Sequence, residues 1–485
     1  MKNLAMGVLL GCCAITVTAS GVDTQDGFVG ATTYHVDSVN GDDNGSGLDE
    51  TSAWQSFDKV RQFQENQGFQ VEDTIKLACG SEWHDSLDFR NSNENPFPSV
   101  ITADEDCIEK PVIIGSDHLN GWTKLERKDS ATIYYKDVSL SISQIFVDGK
   151  PVRMARYPKS GFLQVNADSI AQEGCLPPVD DIDPRYSFAP HEYEGSCYLY
   201  AGSDLQIPEN ESLDRGFVSI RTASYWIDRR EVTSFGDSVV QWGNKTRYMP
   251  EVGHEYFFEN KLWMLNEVIQ DEWVYDAQAG RIYLALIDDS MGQRDPDDNV
   301  LVDASVRGHG IFVMDTQDIQ ISNIAIKHSG SHSIYLRSIS RTNIRNVEIH
   351  GSGEDGIYQL LIPEEISIQE SQIEDSRQDA IKLLRSSSAE VEIGGNTISG
   401  SGITDFNLGS PRASHAAIFA ADHAAKIHNN NIVQSGYIGV RIGSGGSVIQ
   451  NIVTDSCVAL SDCGGIYTRH HPRSYLDPWP LPADS

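Results

Sequence analysis

The chain has few basic residues. Its 37 lysines and arginines stand against 70 aspartates and glutamates, so the formal net charge is −33. Such an acidic surface repels nucleic acid phosphates, which excludes DNA and RNA as partners. The surplus charge is typical of a protein kept soluble in a saline medium. Calcium sites are the alternative: Asp42–Gly47 resembles a calcium loop in composition but lacks EF-hand spacing. No motif requires a cofactor, and calcium is the one candidate ion.

The sequence also lacks any Cys-x-x-Cys pair, which argues against a zinc ribbon. Beyond the N-terminal segment six cysteines remain: Cys79, Cys107, Cys175, Cys197, Cys457 and Cys463. An even number of cysteines in an exported chain predicts disulfides. Sequential pairing would close short loops, but six cysteines allow many connectivities and the pairing stays open.

Long apolar runs are absent after the N-terminus, so no internal membrane span is predicted. The N-terminus itself has the form of an export signal: Lys2 precedes an apolar stretch, residues 4–17, and cleavage is expected after Ala19. Leu9–Cys12 also resembles a lipoprotein box in which Cys12 carries the lipid. We expect an exported monomer, either secreted, periplasmic or an outer-membrane lipoprotein, that meets a membrane only through such an anchor.

From residue 304 onward the sequence has neither a leucine framework nor apolar spacing of three and four, which excludes leucine-rich and helical repeats. A short strand with a buried Ile or Val recurs instead. The expected buried positions are Ile311, Ile334, Ile357, Ile381, Ile418, Val440 and Ile466. They lie 23, 23, 24, 37, 22 and 26 residues apart. A period near 23 with short strands indicates a β-solenoid.

The repeat suggests a division of the chain. Residues 1–19 form the signal, 30–135 an N-terminal cap with the first coils, 140–300 a β-rich insertion, 304–470 the main coils and 471–485 a tail. The 37-residue step contains an extra loop around residues 403–414. An asparagine recurs at one turn of several coils, as expected for a side-chain ladder: Asn323, Asn346, Asn396 and Asn451.

Several segments resemble bacterial β-helical carbohydrate-active proteins, in particular glycoside hydrolase family 141 and its insertion domain. They are residues 35–54, Gln144–Lys150, Met154–Pro158, Asp271–Asp276, Gly280–Leu284 and Asp462–Thr468. The resemblance implies an all-β, right-handed parallel β-helix with a β-rich insertion domain and a polysaccharide as partner. The resemblance also implies further coils and a cap that are not found before Ser485, so we expect either a shortened chain or a plug formed by Tyr475–Ser485.

On each strand the residue after the buried Ile or Val should face outward. That outward column reads Phe312, Tyr335, Tyr358, Lys382, Phe419, Arg441 and Tyr467. Coils stack at roughly 4.8 Å, so the column predicts a continuous strip. Rings stack on sugar faces, and Lys or Arg binds carboxylates or sulfates. We expect the strip, from Tyr335 onward, to bind substrate. The alternative is that the rings only stabilise the surface of the solenoid.

Two carboxylates begin neighbouring coils at equivalent positions, Asp355 and Asp379. One coil step is roughly 5 Å, about the separation of the two carboxylates of a retaining glycosidase. The alternative is turn capping, which is common for Asp. Asp462 is a third catalytic candidate, three coils beyond Asp379. His309 and His332 are expected to lie apart from this cluster and to be structural.

A polysaccharide lyase would need different groups: a base, and a cation to neutralise the enolate that forms on a uronic acid. Lys382 and Arg441 are the candidate cations, with His415 as a catalytic candidate nearby. The leading hypothesis is therefore a glycoside hydrolase that uses paired carboxylates. The alternatives are a lyase of a uronic-acid glycan and a non-catalytic carbohydrate-binding or adhesive solenoid.

Overall fold

The computed structural model describes residues 31–89, 97–165, 197–200 (backbone only), 205–236, 239–243, 246, 248, 250–361, 364–384, 389–403, 415–421 and 424–468. Across these ranges no helix is both long and apolar enough to cross a membrane. The expected signal, the lipid-carrying Cys12, Cys175, most of the 403–414 loop and the tail lie outside the described residues.

Parallel strands stack into two long sheets around one apolar interior. The first solenoid sheet has fifteen described strands: Thr33–Val36, Thr74–Leu77, Leu87–Phe89, Val100–Thr102, Ile311–Ser322, Ile334–Arg345, Ile357–Leu360, Glu365–Gln369, Ile381–Leu384, Glu390–Gly394, Ile418–Ala420, Lys426–His428, Val440–Ile442, Ser447–Ile449 and Ile466–Thr468. The second has eight: Glu82–Trp83, Val112–Ile114, Ala325–Lys327, Glu348–His350, Gln372–Glu374, Thr397–Ser401, Asn431–Ser435 and Ile452–Ser456. The chain is the predicted all-β, right-handed parallel β-helix.

The predicted repeat positions form the stacked core of this solenoid. Each pairs in register with its equivalent in the next coil, from Ile311 with Ile334 to Val440 with Ile466. All are fully buried except Ile466, which is 52% exposed on the last described coil. Burial of one such side chain contributes roughly 1.5–3 kcal/mol, so the column is a main source of stability.

Asparagines line two neighbouring turn columns rather than one. Asn346 donates to Asn323 Oδ1 at 2.9 Å, two residues before each following strand. Asn396, Asn430 and Asn451 lie one residue before theirs and are also linked side chain to side chain. The predicted ladder at this turn is therefore present, but it is divided into two columns, and the prediction missed Asn430. In the later coils the left-handed turn position of Asn323 and Asn346 is taken by Glu370, Gly395, Asn429 and Gln450, and from Gly395 onward the ladder asparagines follow one residue later.

The N-terminal end is closed by aromatic side chains and one helix, Phe57–Asn66. Ser56 caps this helix by accepting a hydrogen bond from the Lys59 N–H, and a 3-10 turn, Glu50–Ser52, precedes it. The apolar face of the helix packs against the first coils, where Phe57 and Val60 join the solenoid core. Trp54 and Phe69, on either side of the helix, are buried in the same core.

The insertion consists of two largely antiparallel sheets. One contains Ser116–His118, Thr123–Lys128, Ala131–Asp137, Ile145–Val147, Lys150–Met154, Glu272–Asp276, Arg281–Ile287 and Val302–Ser305. The other contains Arg156–Tyr157, Leu163–Gln164, Cys197–Tyr200, Phe217–Ala223, Trp226–Gly236, Val239–Trp242 and Glu255–Glu259, followed by the 3-10 helix Leu262–Asn266. Its first strand begins at Ser116, earlier than the expected residue 140. Two of the strands before 140, Ser116–His118 and Ala131–Asp137, pair with residues more than 140 positions later, which local patterns do not reveal.

The insertion packs along one corner of the solenoid. Gln144, which is buried, donates to the carbonyls of Ser329 and Gly351 in successive coils. Farther along the corner, Arg377 donates to the Ser143 carbonyl, and the Ser461 N–H donates to the Ser224 carbonyl. This corner immediately precedes the strands that carry the predicted strip, so the insertion forms a wall beside it.

Two disulfides join described residues, Cys79–Cys107 and Cys457–Cys463. Both agree with the sequential pairing, and the third pair lies outside what the structure describes in atomic detail. The first links the N-terminal coils, and the second closes the turn that contains Asp462.

We expect Asn430→Ala to lower the free energy of unfolding by about 3 kcal/mol, because several buried backbone and amide groups lose their partners. The Asn430 amide donates to the Ile393 carbonyl and Asn451 Oδ1 and accepts from two nitrogens of Asn396. Urea denaturation measures the change. The neighbouring Asn431→Ala, at an exposed position, should lie within about 0.5 kcal/mol of the parent. Equal losses for both variants would contradict the ladder.

A second prediction concerns pH. His328 stacks on Phe146 at the insertion boundary, and burial lowers its pKa from 6.5 to about 3. The unfolded chain takes up this proton first as pH falls. The free energy of unfolding should therefore decrease from pH 6.5 toward pH 3, by about 1.4 kcal/mol per unit for this group. Urea midpoints between pH 7 and 4 should show a shallower decrease for His328→Gln. The half-exposed His254→Gln should keep the parent's slope.

Candidate functional site

The predicted strip exists as a column in unbroken register. Phe312 pairs with Tyr335, and the pairing continues through Tyr358, Lys382, Phe419, Arg441 and Tyr467. Exposure varies along it: Phe312 and Lys382 are buried, contrary to the outward-facing expectation, while Tyr467 is 37% exposed. The other members are half-buried. The usable surface is therefore two tyrosines on one side of a buried lysine, and Phe419 with Arg441 and Tyr467 on the other.

Neighbouring members of the strip touch one another. The ring centroids of Tyr335 and Tyr358 are 5.0 Å apart, and the Arg441 guanidinium lies 4.9 Å from the Phe419 centroid and 5.8 Å from that of Tyr467. Coil stacking imposes these spacings, because side chains at equivalent positions project in parallel. The arrangement offers a row of ring faces and one cation to an extended ligand.

Beside the strip, side chains in the turn before each strand form a second column. Asp355 Oδ1 accepts from the Asp379 backbone N–H at 2.9 Å, and Asp379 Oδ1 accepts from the Ala416 N–H at 2.6 Å. Both side chains are fully buried. The structure thus brings the two predicted carboxylates together on adjacent coils. It also gives each of them a capping hydrogen bond to the next coil.

The buried lysine of the strip compensates both carboxylates. Its Nζ lies 2.9 Å from Asp379 Oδ2 and 3.9 Å from Asp355 Oδ1. Burial alone would lower the pKa of Lys382, but the Asp355 and Asp379 charges outweigh it and raise that pKa above its ordinary value. Lys382 is therefore a permanent ammonium held between two acids.

His332 belongs to this cluster, so the expectation that it lies apart is wrong. Its Nε2 is 3.1 Å from Glu354 Oε2, and its Nδ1 is 3.3 Å from Asp355 Oδ2. The imidazole stacks on Tyr358 with centroids 4.5 Å apart. Sequence reasoning missed both His332 and Glu354. The available signal was that His332, like Asp355 and Asp379, stands two residues before the buried Ile of its coil.

His309 occupies the same turn column one coil earlier. Its imidazole stacks on Phe312 and on His332, with centroids 5.3 and 5.6 Å away. It too adjoins the strip and extends the row of rings toward the N-terminal coils.

His415 is buried near Asp379 and Lys382, as the sequence suggested. Burial lowers its pKa to about 4, against the opposing effect of the Asp379 charge, so the imidazole is neutral at physiological pH. Its Nδ1 has no hydrogen-bond partner within the described part of the chain. A neutral, unpartnered nitrogen is a competent acceptor but a weak base.

Asp462 stands apart from the other candidates. It is exposed, in a left-handed turn beside the Cys457–Cys463 disulfide, and its backbone carbonyl accepts from the Tyr437 hydroxyl. No described residue bonds its side chain. The structure therefore does not combine Asp462 with Asp355 and Asp379.

A cleft of about 570 Å³ lies elsewhere, between the second solenoid sheet and the insertion. Its wall is rich in histidines and carboxylates: His84, His118, His328, His350, Glu82, Asp303, Glu348 and Glu374. Burial raises the pKa of Asp303, although His118 at 3.6 Å acts in the opposite direction. None of the described residues that line it is Phe, Tyr or Trp. The cleft has no stacking surface for a sugar ring, and the strip remains the candidate site.

Metal ligands are not assembled in the described ranges, where no group of three or more His, Cys, Asp or Glu is placed to hold an ion. In the turn that resembles a calcium loop, Asp43 accepts hydrogen bonds from Gln55 and Ser56. Asp42 likewise accepts from Asn44. These carboxylates stabilise the turn itself.

Comparison with known proteins agrees with this architecture. The family model for the right handed beta helix region matches residues 309–475, which include the strip and the turn column. No curated protein matches the chain. A solved structure described as "The complex structure of XylC with xylose" aligns at 12% identity and a TM-score of 0.45. The alignment covers 87% of this chain and 62% of that one, so the chain spans less than two thirds of its length.

Replacement of the buried lysine tests the charge cluster. Lys382→Met leaves two buried carboxylates without their cation, and we expect the free energy of unfolding to fall by about 3–5 kcal/mol. Urea denaturation at neutral pH measures it. In the control Lys426→Met, the lost partner is the surface residue Glu392, and the change should stay within about 1 kcal/mol. A small loss for Lys382→Met would show that the two aspartates do not depend on it.

Proposed function

We propose that this chain is an exported, carbohydrate-active protein that hydrolyses glycosidic bonds in a polysaccharide lying along the strip. The observation that carries the proposal is the unbroken register of the strip from Tyr335 to Tyr467, which is mostly aromatic, beside paired carboxylates on adjacent coils. Sugars present apolar ring faces that stack on aromatic side chains, and a solenoid repeats such contacts at a regular step. Export is supported by the N-terminal signal and by the two disulfides.

Asp355 and Asp379 are the proposed carboxylates of the reaction. Their coils are one step apart, roughly 5 Å. Asp379 Oδ2 lies against the Lys382 ammonium, and Lys382 itself occupies the strip position between Tyr358 and Phe419. A sugar bound over these two rings would place its bond nearest the charged cluster. Asp462 is too far along the solenoid to share that position.

Charge favours hydrolysis over β-elimination. A lyase needs a cation free to neutralise an enolate, but two buried carboxylates already compensate Lys382. His415, with a pKa of about 4, would also be a poor base at neutral pH. A net charge of −33 further repels uronic and sulfated chains. We therefore propose a neutral polysaccharide as the substrate class.

One observation favours a second candidate, a non-catalytic carbohydrate-binding solenoid. Each oxygen of Asp355 and Asp379 already contacts a group of the chain: two backbone N–H groups, His332 and Lys382. Carboxylates held in this way can act only to stabilise the stacking of coils. The strip would then bind glycan without catalysis.

The proposal is tested by incubation of the secreted protein with neutral, uronic and sulfated polysaccharides, while reducing ends and ultraviolet absorbance are followed together. We expect reducing ends from a neutral polysaccharide with no new absorbance, and loss of that activity in Asp379→Asn. A parallel rise of both signals on a uronic glycan would identify a lyase. Binding without either signal would identify the binding protein.

The binding role of the strip is tested with a pair of matched tyrosine variants. Tyr358→Ala removes one stacking surface, and its KM should rise about tenfold, as expected for a lost aromatic contact. Tyr283→Ala removes a half-buried tyrosine from the insertion, away from the strip, and should leave KM unchanged. Equal effects of the two variants would place the glycan elsewhere.

A further inference from the structure

Glu354 is the accessible carboxylate of the cluster. It precedes Asp355 in the same turn, and its side chain is 40% exposed, whereas those of Asp355 and Asp379 are 1% and 0% exposed. A carboxylate that activates a water molecule must meet solvent. Of the three carboxylates, Glu354 meets that condition directly.

One oxygen of Glu354 is held in place. Its Oε2 accepts from the Ser331 hydroxyl at 2.9 Å and lies 3.1 Å from His332 Nε2. The Asp355 backbone N–H donates to His332 Nδ1 at 3.2 Å, so Nε2 is the nitrogen that donates to Glu354. Two donors on one oxygen orient the carboxylate.

The other oxygen, Oε1, has no hydrogen bond or ion pair to any described residue. The carboxylate also adjoins the strip, because the His332 ring that contacts it stacks on Tyr358 and meets Tyr335 edge-on, with centroids 5.3 Å apart. An oriented carboxylate with one free oxygen beside two sugar-stacking rings has the geometry of a general base.

We propose that Glu354 is the general base of the reaction; this inference rests on the proposed hydrolysis. Glu354 Oε1 takes a proton from a water molecule as the water oxygen bonds to the anomeric carbon. The bond between that carbon and the glycosidic oxygen breaks, and the departing oxygen takes a proton from a carboxyl group of the Asp355–Asp379 pair. The products are two sugar hydroxyls, with no change of oxidation state.

The experiment compares Glu354→Gln and Glu354→Asp with the parent on the neutral polysaccharide that the parent cleaves. We expect kcat to fall about 100-fold or more in Glu354→Gln, as for loss of a general base. KM should stay within about threefold, because the strip is intact. Glu354→Asp, which keeps the charge but moves it, should fall less. Glu364→Gln is the control, since Glu364 is an exposed carboxylate that pairs with Arg341 on another face.

A kcat within threefold of the parent in Glu354→Gln would overturn the assignment while the proposed hydrolysis stands. Absence of hydrolysis by the parent would instead overturn the proposed function, and with it the role of Glu354. Urea midpoints of each variant separate catalytic loss from unfolding. If Glu354→Gln is unstable, a normal kcat in a stable Glu354→Asp still counts against the proposal.

Discussion

Coil-to-coil hydrogen bonding at the turn before each strand is the interaction on which the rest of the structure depends. The Asp355 carboxylate accepts the N–H of Asp379 one coil later, and Asp379 accepts that of Ala416. These bonds set the position of each strand start, and therefore the register of the residues that follow. The buried isoleucines stack as a result, and so do the rings of the strip. A shift of one residue in any coil would turn its apolar positions outward.

The same turn column concentrates charge beside the strip. Burying a carboxylate is costly unless it is paired and hydrogen-bonded. Lys382 is the cation beside both carboxylates, and backbone N–H groups of the next coil provide the hydrogen bonds. Asp355 and Asp379 thus cap the turns and are at the same time the candidate carboxylate pair. Glu354 differs because its carboxylate is exposed and does not cap a neighbouring coil. Only one of its two oxygens contacts a described residue.

The insertion confines the site from one side. Its connecting segment is tied to the solenoid corner through Gln144 and Arg377, and its far sheet reaches the turn near Asp462. The strip therefore has a wall along one flank. The contact between the insertion and the solenoid also buries His328, and burial lowers its pKa.

Much of the fold was predictable because a β-helix repeats locally. The spacing of Ile311, Ile334 and Ile357 reports directly on burial, and strand alternation then predicts which residues form the strip. The pairing of Asp355 with Asp379 followed from the same count. The positions of His332 and Glu354 beside this pair could not be predicted in this way. They depend on side-chain directions in a turn, where residues do not alternate as they do in a strand. The asparagine ladder was predicted, but its shift by one residue between Asn346 and Asn396 was not, for the same reason.

The sequence by itself determined the solenoid, its register and the order of groups along the strip, because these depend on a short repeat of backbone hydrogen bonds and apolar side chains. The tertiary structure alone decided which of these groups are accessible. Lys382 is buried between two acids, Asp462 is isolated, and Glu354 is oriented by a histidine from the preceding coil. Burial and charge pairing depend on contacts between distant parts of the chain, and no local pattern of residues encodes them.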